Sequence, residues 1–488
     1  MIDSASFIVN VFRVASGSFL GQLFLILSSP IITRIFSPEV FGTFAIYSAV
    51  VRLISSISPL RYDMAIIISK KKSDAANVMF VSVILVFLTV FLSFLTIKFV
   101  KHLGCRSNLI DILSTYSGII CMGILVSGLL IVFISWETRF SRFENIGIVK
   151  AIRPFFTSII PIIYGLFFNA SVYGLFMGDI VGALVGLIFL FFVFLKKTGS
   201  IFYDDISRLK SFELMRRYKN LPVYSTWSVL VNSLSLQIPV IILINYYSAS
   251  IAGCFALANR LLQIPMGIFN SSVGQVFFKS SSDSIESDNI HVLVMKTLSR
   301  LIMISIFPII IISLLGPDIF QLVFGNEWYK AGQYIQVLSL WCFSAFLVGP
   351  LSNLVIIYEK QNIGLIINII RMLSRLGSLV FGAHFTNSPL LALTLFSVSS
   401  FITNIGFLFW ILKISKSSIK SSLFSFFKYG FIALSFSAPL IFSVWVFSIS
   451  SIMKIVISFA LLVGYYLYIL SQDSGLRILI KKAIIANS

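Results

Sequence analysis

Charged residues are scarce here, making up 11% of 488 positions, where a soluble protein carries roughly a quarter. No polar stretch is long enough to build a sizeable soluble domain. Cysteine is rare too: Cys105, Cys121, Cys254 and Cys342 are scattered without any CxxC spacing, which argues against a disulfide framework. Three histidines, far apart, make no metal motif. There is no P-loop and no nucleophile beside a paired base, so nothing here is built to hydrolyse ATP. The outer connections, near Lys101–Asp111 and Gly316–Ala331, are too short to hold a catalytic domain. The expectation is a protein that is not an enzyme and carries no cofactor or metal.

What remains is hydrophobic: 58% of the residues. The formal charge of +19 would suit nucleic acid, but this hydropathy excludes that partner and assigns the basic residues to loops at a membrane. Stretches of the length that crosses a bilayer, ~20 apolar residues each, predict an all-α protein of about fourteen spans. They are placed at 8–33, 40–67, 75–99, 111–135, 147–168, 171–195, 222–245, 250–278, 293–315, 332–357, 363–384, 389–412, 425–447 and 453–471. The start Met-Ile-Asp-Ser lacks a basic n-region, so the first span is expected to be retained.

Loop charge orients the spans. Lys70 to Lys72, Arg139, Arg142, Lys196, Lys197, Lys210, Arg216 and Arg217 fall on one side, and Lys413, Lys416, Lys420, Lys481 and Lys482 join them. The opposite side holds few, so the positive-inside rule makes the rich side cytoplasmic and puts both termini there. The longest polar interruption, 198–221, separates six spans from the next six. This predicts an N-terminal lobe (1–197), a cytoplasmic linker (198–221), a parallel C-terminal lobe (222–413), and two extra helices with a tail (414–488).

Charges inside spans are costly and usually face a bundle interior or a wet cavity. Asn368, Arg371 and Arg375 stand at i, i+3 and i+7, one helix face. At 1.5 Å per residue from Ile363, Arg371 lies ~12 Å deep and Arg375 ~18 Å. Arg52 and Arg260 enter from the outer side in the second and eighth spans. Together these arginines predict a cationic chamber for a phosphate-bearing or other anionic substrate, because planar guanidinium grips phosphate with paired hydrogen bonds. Asn232, Gln237, Asn259, Gln263, Asn353 and Asn404 add polar groups able to bind sugar hydroxyls or to bond helices together. Trp227 and Trp341 read either as sugar-stacking groups or as an interfacial belt. Asp179 is either a proton or sodium site or the partner of an arginine. Beside it, Gly174, Gly178, Gly182 and Gly186 recur every four residues as a stripe for close helix packing.

The chain is organised around Pro30 to Asp63, which closes one span, turns at Ser37-Pro38-Glu39 and opens the next. Gly42-Thr43-Phe44-Ala45 is echoed at Gly253-Cys254-Phe255-Ala256, again leading to an arginine inside a span, Arg260. Arg61 and Asp63, near the cytoplasmic face, are candidates for structure or gating. Pro30-Ile-Ile-Thr-Arg34, Ser37 to Gly42, Leu60 to Ile66, Ala258 to Pro265 and Phe324-Gly-Asn-Glu-Trp328 resemble the bacterial polysaccharide flippase family of the multidrug/oligosaccharidyl-lipid/polysaccharide exporter superfamily. The resemblance covers nearly the whole chain. It implies two lobes around a central cavity in the bacterial inner membrane. The implied task is to move undecaprenyl-diphosphate-linked O-antigen (lipopolysaccharide) or capsular repeat units to the periplasmic leaflet by alternating access. It also implies coupling to a proton or sodium gradient, and polysaccharide-assembly proteins as partners. The alternatives are a drug or ion antiporter on the same fold, which would favour acidic residues in the cavity, and a membrane polysaccharide polymerase, which would need a larger outer loop.

Overall fold

The computed structural model describes residues 4–69, 71–104, 107–205, 207–285, 290–446 and 450–472. Lys70, Cys105 and the expected tail with Lys481 and Lys482 lie outside the described residues. Among the described residues every regular element is helical. Fourteen helices are long: α1 (Ser4–Ile35), α2 (Pro38–Ile57), α3 (Lys72–His102), α4 (Ser117–Arg139), α5 (Phe143–Phe167), α6 (Val172–Asp205) and α7 (Thr226–Tyr246). The series continues with α8 (Ala249–Ile285), α9 (Ile290–Phe324), α10 (Tyr329–Leu351), α11 (Gln361–Thr386), α12 (Pro389–Ile414), α13 (Ile419–Val446) and α14 (Ser451–Gln472). Among the described residues, thirteen candidate spans are long and apolar enough to cross a membrane.

The expected single span 40–67 is corrected by the structure. Helix α2 stops at Ile57, and Ser58 to Arg61 form a turn in which Leu60 (φ 46°) and Arg61 (φ 63°) are left-handed. A short helix, Tyr62–Ile68, follows. The cause is Pro59, which has no N–H to give the Ser55 carbonyl four residues back. The Ser58 side chain donates to that carbonyl instead, at 3.0 Å. Upstream, Pro38 opens α2 at its first turn with Glu39 beside it, the arrangement that suits a helix N-terminus.

Contacts divide the chain into two compact units, residues 1–257 with 379–389, and 258–378 with 390–488. In the first unit, α1 lies along α5 and α5 along α6, while α4 packs on α3 and α6. Its core includes Trp136, Phe133, Phe194, Met79 and Ile66. The echoed segments meet within this unit. A Cβ on Gly42 would fall inside the Ala249 carbonyl, and one on Gly253 would fall inside that of Pro38. The start of α2 and the start of α8 therefore cross with backbone on backbone.

The second unit is centred on α9, which packs against α10, α13 and α14. Two prolines interrupt α9, and each frees a carbonyl that lipid cannot hydrogen-bond. Pro308 frees Ile304, whose carbonyl accepts the Tyr466 hydroxyl of α14 at 2.9 Å. Pro317 frees Ser313, whose carbonyl accepts Gln336 Nε2 of α10 at 2.8 Å. Tyr465 adds a bond to Met303 O at 2.8 Å and stacks on Phe307. At the other end of α14, Lys454 pairs with Asp318 at 3.3 Å. Tyr466→Phe leaves the Ile304 carbonyl bare and is expected to cost about 1–3 kcal/mol. A lowered unfolding midpoint in detergent, with faster amide exchange around Phe307, would register it; an unchanged midpoint would show that another donor takes over.

Candidate functional site

Arginines inside helices define one candidate site in each unit. In the second unit, Arg371 and Arg375 project from α11 as successive turns of one face. Arg375 Nε donates to Ser400 Oγ of α12 at 3.2 Å, and its guanidinium lies 5.8 Å from the centre of the Trp341 ring of α10. Arg371 sits over the Phe407 ring at 4.4 Å. Its Nε and Nη2 are buried and have no hydrogen-bond partner, and no carboxylate pairs with it among the described residues. The neighbouring Arg375 charge repels it. A guanidinium so placed keeps two N–H groups in search of an acceptor, and an anion supplies both charge and acceptor atoms.

Asn368, one turn from Arg371, is exposed. Arg260, on α8, is half-buried. Trp341 is buried, with its ring tilted against Phe396 on α12 and the Arg375 guanidinium near it. Trp227 is 64% exposed. The same unit contains an apolar cavity of about 490 Å³ lined by Ile306, Leu340, Phe343, Val398, Phe426 and Leu434, with a few serines and Gln336 among them. Those polar groups are largely engaged already: Gln336 holds the Ser313 carbonyl, Ser313 Oγ meets Ser339 Oγ at 2.7 Å, and Ser397 donates to Val337 O.

In the first unit, Asp179 of α6 is held from two sides. Arg153 Nη2 of α5 donates to Oδ1 at 3.3 Å, and the hydroxyl of Tyr47 of α2 donates to Oδ2 at 3.3 Å. Tyr47 is fully buried among Phe44 and Phe176. Arg52, one turn beyond Ser48 on α2, gives its Nε to the Ser48 carbonyl at 3.2 Å. Its exposed guanidinium feels both the Asp179 and Arg153 charges. Two cations thus share one carboxylate, and the group keeps a positive charge.

The glycine stripe of α6 lets α5 approach closely enough to form this pair. A Cβ on Gly178 would lie 2.7 Å from the Pro161 ring, and one on Gly182 would lie 2.7 Å from the Arg153 carbonyl. Gly174 meets Tyr164 and Gly186 meets Val149 in the same row. Because Arg153 is level with Gly182, its side chain reaches back nearly one turn to Asp179.

Arg61 and Asp63 pair at 3.5 Å across the turn after α2. Burial pushes the Asp63 carboxyl above its usual range, with the Arg61 charge and the backbone N–H groups of Asp63 and Met64 acting against it. Nearby, Arg139 of α4 donates to Ile66 O at 3.1 Å and to Ser69 O, closing the carbonyl end of the short helix. Sequence reading overlooked Arg153 and Tyr47. A cation in the fifth span, 147–168, was the available signal for the first; a tyrosine among apolar residues gave none for the second.

The helix order of this chain is similar to that of several solved membrane proteins. The lipid II flippase MurJ in its inward closed conformation superposes with a TM-score of 0.73 at 13% identity, over 95% of this chain and 99% of that one. An inward-facing multidrug resistance MATE family transporter of the MOP superfamily gives 0.57 at 16% identity, over 83% and 94%. A Vibrio cholerae MATE transporter gives 0.54 at 13%, over 86% and 98%. Among curated proteins none matches the chain. The family model for polysaccharide biosynthesis proteins matches residues 31–333, and the chain belongs to that family.

Proposed function

We propose that this chain flips undecaprenyl-diphosphate-linked oligosaccharide, an O-antigen or capsular repeat unit, from the cytoplasmic to the periplasmic leaflet of the bacterial inner membrane. The observation that carries this reading is the unpartnered guanidinium of Arg371 beside Arg375. Such a pair suits a diphosphate and repels the cationic substrates of a drug antiporter. Arg52 and Arg260 are further candidates for the anion, and Asn368 for a sugar hydroxyl. The apolar cavity near Phe343 and Phe426 suits isoprene units of the lipid. Membership of a polysaccharide biosynthesis family supports the class of substrate. The proposed working halves are 1–197 and 222–413, and access to the substrate alternates between the leaflets without covalent chemistry. Substrate affinity must differ little between the two states, or the cycle stalls.

The test is the sidedness of the lipid-linked repeat unit in sealed inverted vesicles, scored by protection of the sugar from an added glycan-binding probe. Protein-dependent, gradient-sensitive protection is expected. Continued exposure of the authentic substrate, with the protein correctly inserted and a gradient imposed, would turn attention to solute antiport.

Asp179 is the proposed coupling site, where a proton or sodium ion competes with Arg153 for the carboxylate. Asp179→Asn is expected to remove the response of transport to an imposed gradient. Ordinary gradient dependence in that variant would leave Asp179 as the counter-ion of Arg153 alone.

A further inference from the structure

The segment between α6 and α7 contains a ten-residue helix, Arg208–Arg217, with two different faces. Ser211, Leu214, Met215 and Tyr218 recur at i, i+3, i+4 and i+7 and dock on the first unit. Leu214 is buried in the core around Met79 and Trp136. Ser211 Oγ donates to Asn77 Oδ1 at 3.0 Å, and so does Ser207 N at 2.9 Å. Lys210 pairs with Asp74 at 3.0 Å, and the Tyr62 hydroxyl donates to Met215 O at 3.1 Å. The helix is therefore fixed to the end of α3.

The opposite face repeats the same spacing with Leu209, Phe212, Glu213 and Arg216. Leu209 is 86% exposed and Phe212 57%. Arg216 stacks on Phe212 at 4.6 Å, and Arg217 stacks on Tyr218 at 5.6 Å. Arg216, Arg217 and Lys219 are all exposed, against a single acid, Glu213. Two large apolar groups left in water beside three cations form the pattern of a helix that lies in a bilayer interface. Its position agrees independently. The helix leads directly into α7, where Val223, Tyr224 and Trp227 are exposed at the mouth of a span, as interfacial aromatics are.

We propose that the outer face of the Arg208–Arg217 helix is a binding surface for the anionic phospholipid headgroups of the leaflet it borders. Leu209 and Phe212 enter the acyl boundary, and Arg216, Arg217 and Lys219 take the phosphates. The linker is then clamped between α3 and the lipid.

The experiment is amide exchange of residues 208–217 in the full-length protein, in nanodiscs of phosphatidylcholine alone or mixed with phosphatidylglycerol. A helix this short does not hold itself together, so its exchange rate reports what covers it. Exchange is expected to be slower in the anionic discs. Arg216→Gln, Arg217→Gln and Lys219→Gln should each remove about fivefold of the protection. Added salt should do the same to the unmodified protein, which keeps the test valid if a variant misfolds. Asn77→Ala, which loosens the docked face, should speed exchange equally in both discs. Equal rates in the two lipids, or protection indifferent to salt and to the triple substitution, would overturn the proposal. So would protection appearing only when two copies share a disc, which would make the face a contact between chains.

Discussion

Replacing Arg371 with alanine is expected to lower export by about ten- to a hundredfold, the worth of one or two charge-assisted hydrogen bonds, without loss of thermal stability. The two effects part because of how this side chain is held. Its Nε and Nη2 are buried without partners, so in the substrate-free protein they are a desolvation cost of about 1–3 kcal/mol. Its contact with the Phe407 ring offsets some of that cost. Alanine removes both, and the unfolding midpoint should stay level or rise. An ordinary core arginine would behave in the opposite way, losing stability on truncation. Arg371→Lys keeps the charge but not the planar fork, and should restore only part of the transport if paired hydrogen bonds matter. Vesicle sidedness together with thermal unfolding reads both quantities. Full export by Arg371→Ala would remove this residue from the substrate path.

The largest effect on assembly is expected at Gly42 and Gly253. Real Cβ atoms essentially never come within 3.0 Å of another heavy atom, and a Cβ on either glycine would lie far inside that limit against backbone. No side chain can move aside, so α2 and α8 must separate. Gly42→Val should cost at least the 1–3 kcal/mol typical of overpacking and deplete folded protein in the membrane. Gly253→Val should do the same, and the double variant should cost less than the sum, because both open one crossing. Gly267, also on α8, has nothing within 4 Å of its added Cβ, and Gly267→Ala should be neutral or slightly stabilising. Equal behaviour at Gly267 and Gly42 would refute the argument from close approach. Detergent-extracted yield and unfolding midpoint suffice for the comparison.

The helices were legible because hydropathy acts residue by residue: each span must be apolar along its own length, whatever its neighbours. Breaks were less legible. Pro59 lay in view, but many membrane helices continue past a proline, as α5 does past Pro154 and Pro161. At Pro59 the lost hydrogen bond is joined by the left-handed pair Leu60 and Arg61, which hydropathy does not sense. The site residues divide in the same way. A charge in a span announces itself, so Arg52, Asp179, Arg371 and Arg375 could be named from the sequence. Their partners depend on rotation about the helix axis and on side-chain reach. Arg153 finds Asp179 by reaching along the α5–α6 contact, and Ser400 of α12 meets Arg375 of α11. Spacing within one helix does not specify those meetings. The docking of the linker helix on Asn77 is likewise a matter of which faces meet.

The proline-freed carbonyl of Ile304 has a consequence for biogenesis. Its hydrogen-bond donor, Tyr466, lies 162 residues further along the chain. As the ribosome threads helices into the bilayer in order, α9 arrives with a gap in its ladder that no earlier segment closes. It is completed only once α14 has entered. A chain cut before Tyr466 would therefore leave the Ile304 carbonyl without this donor in the bilayer.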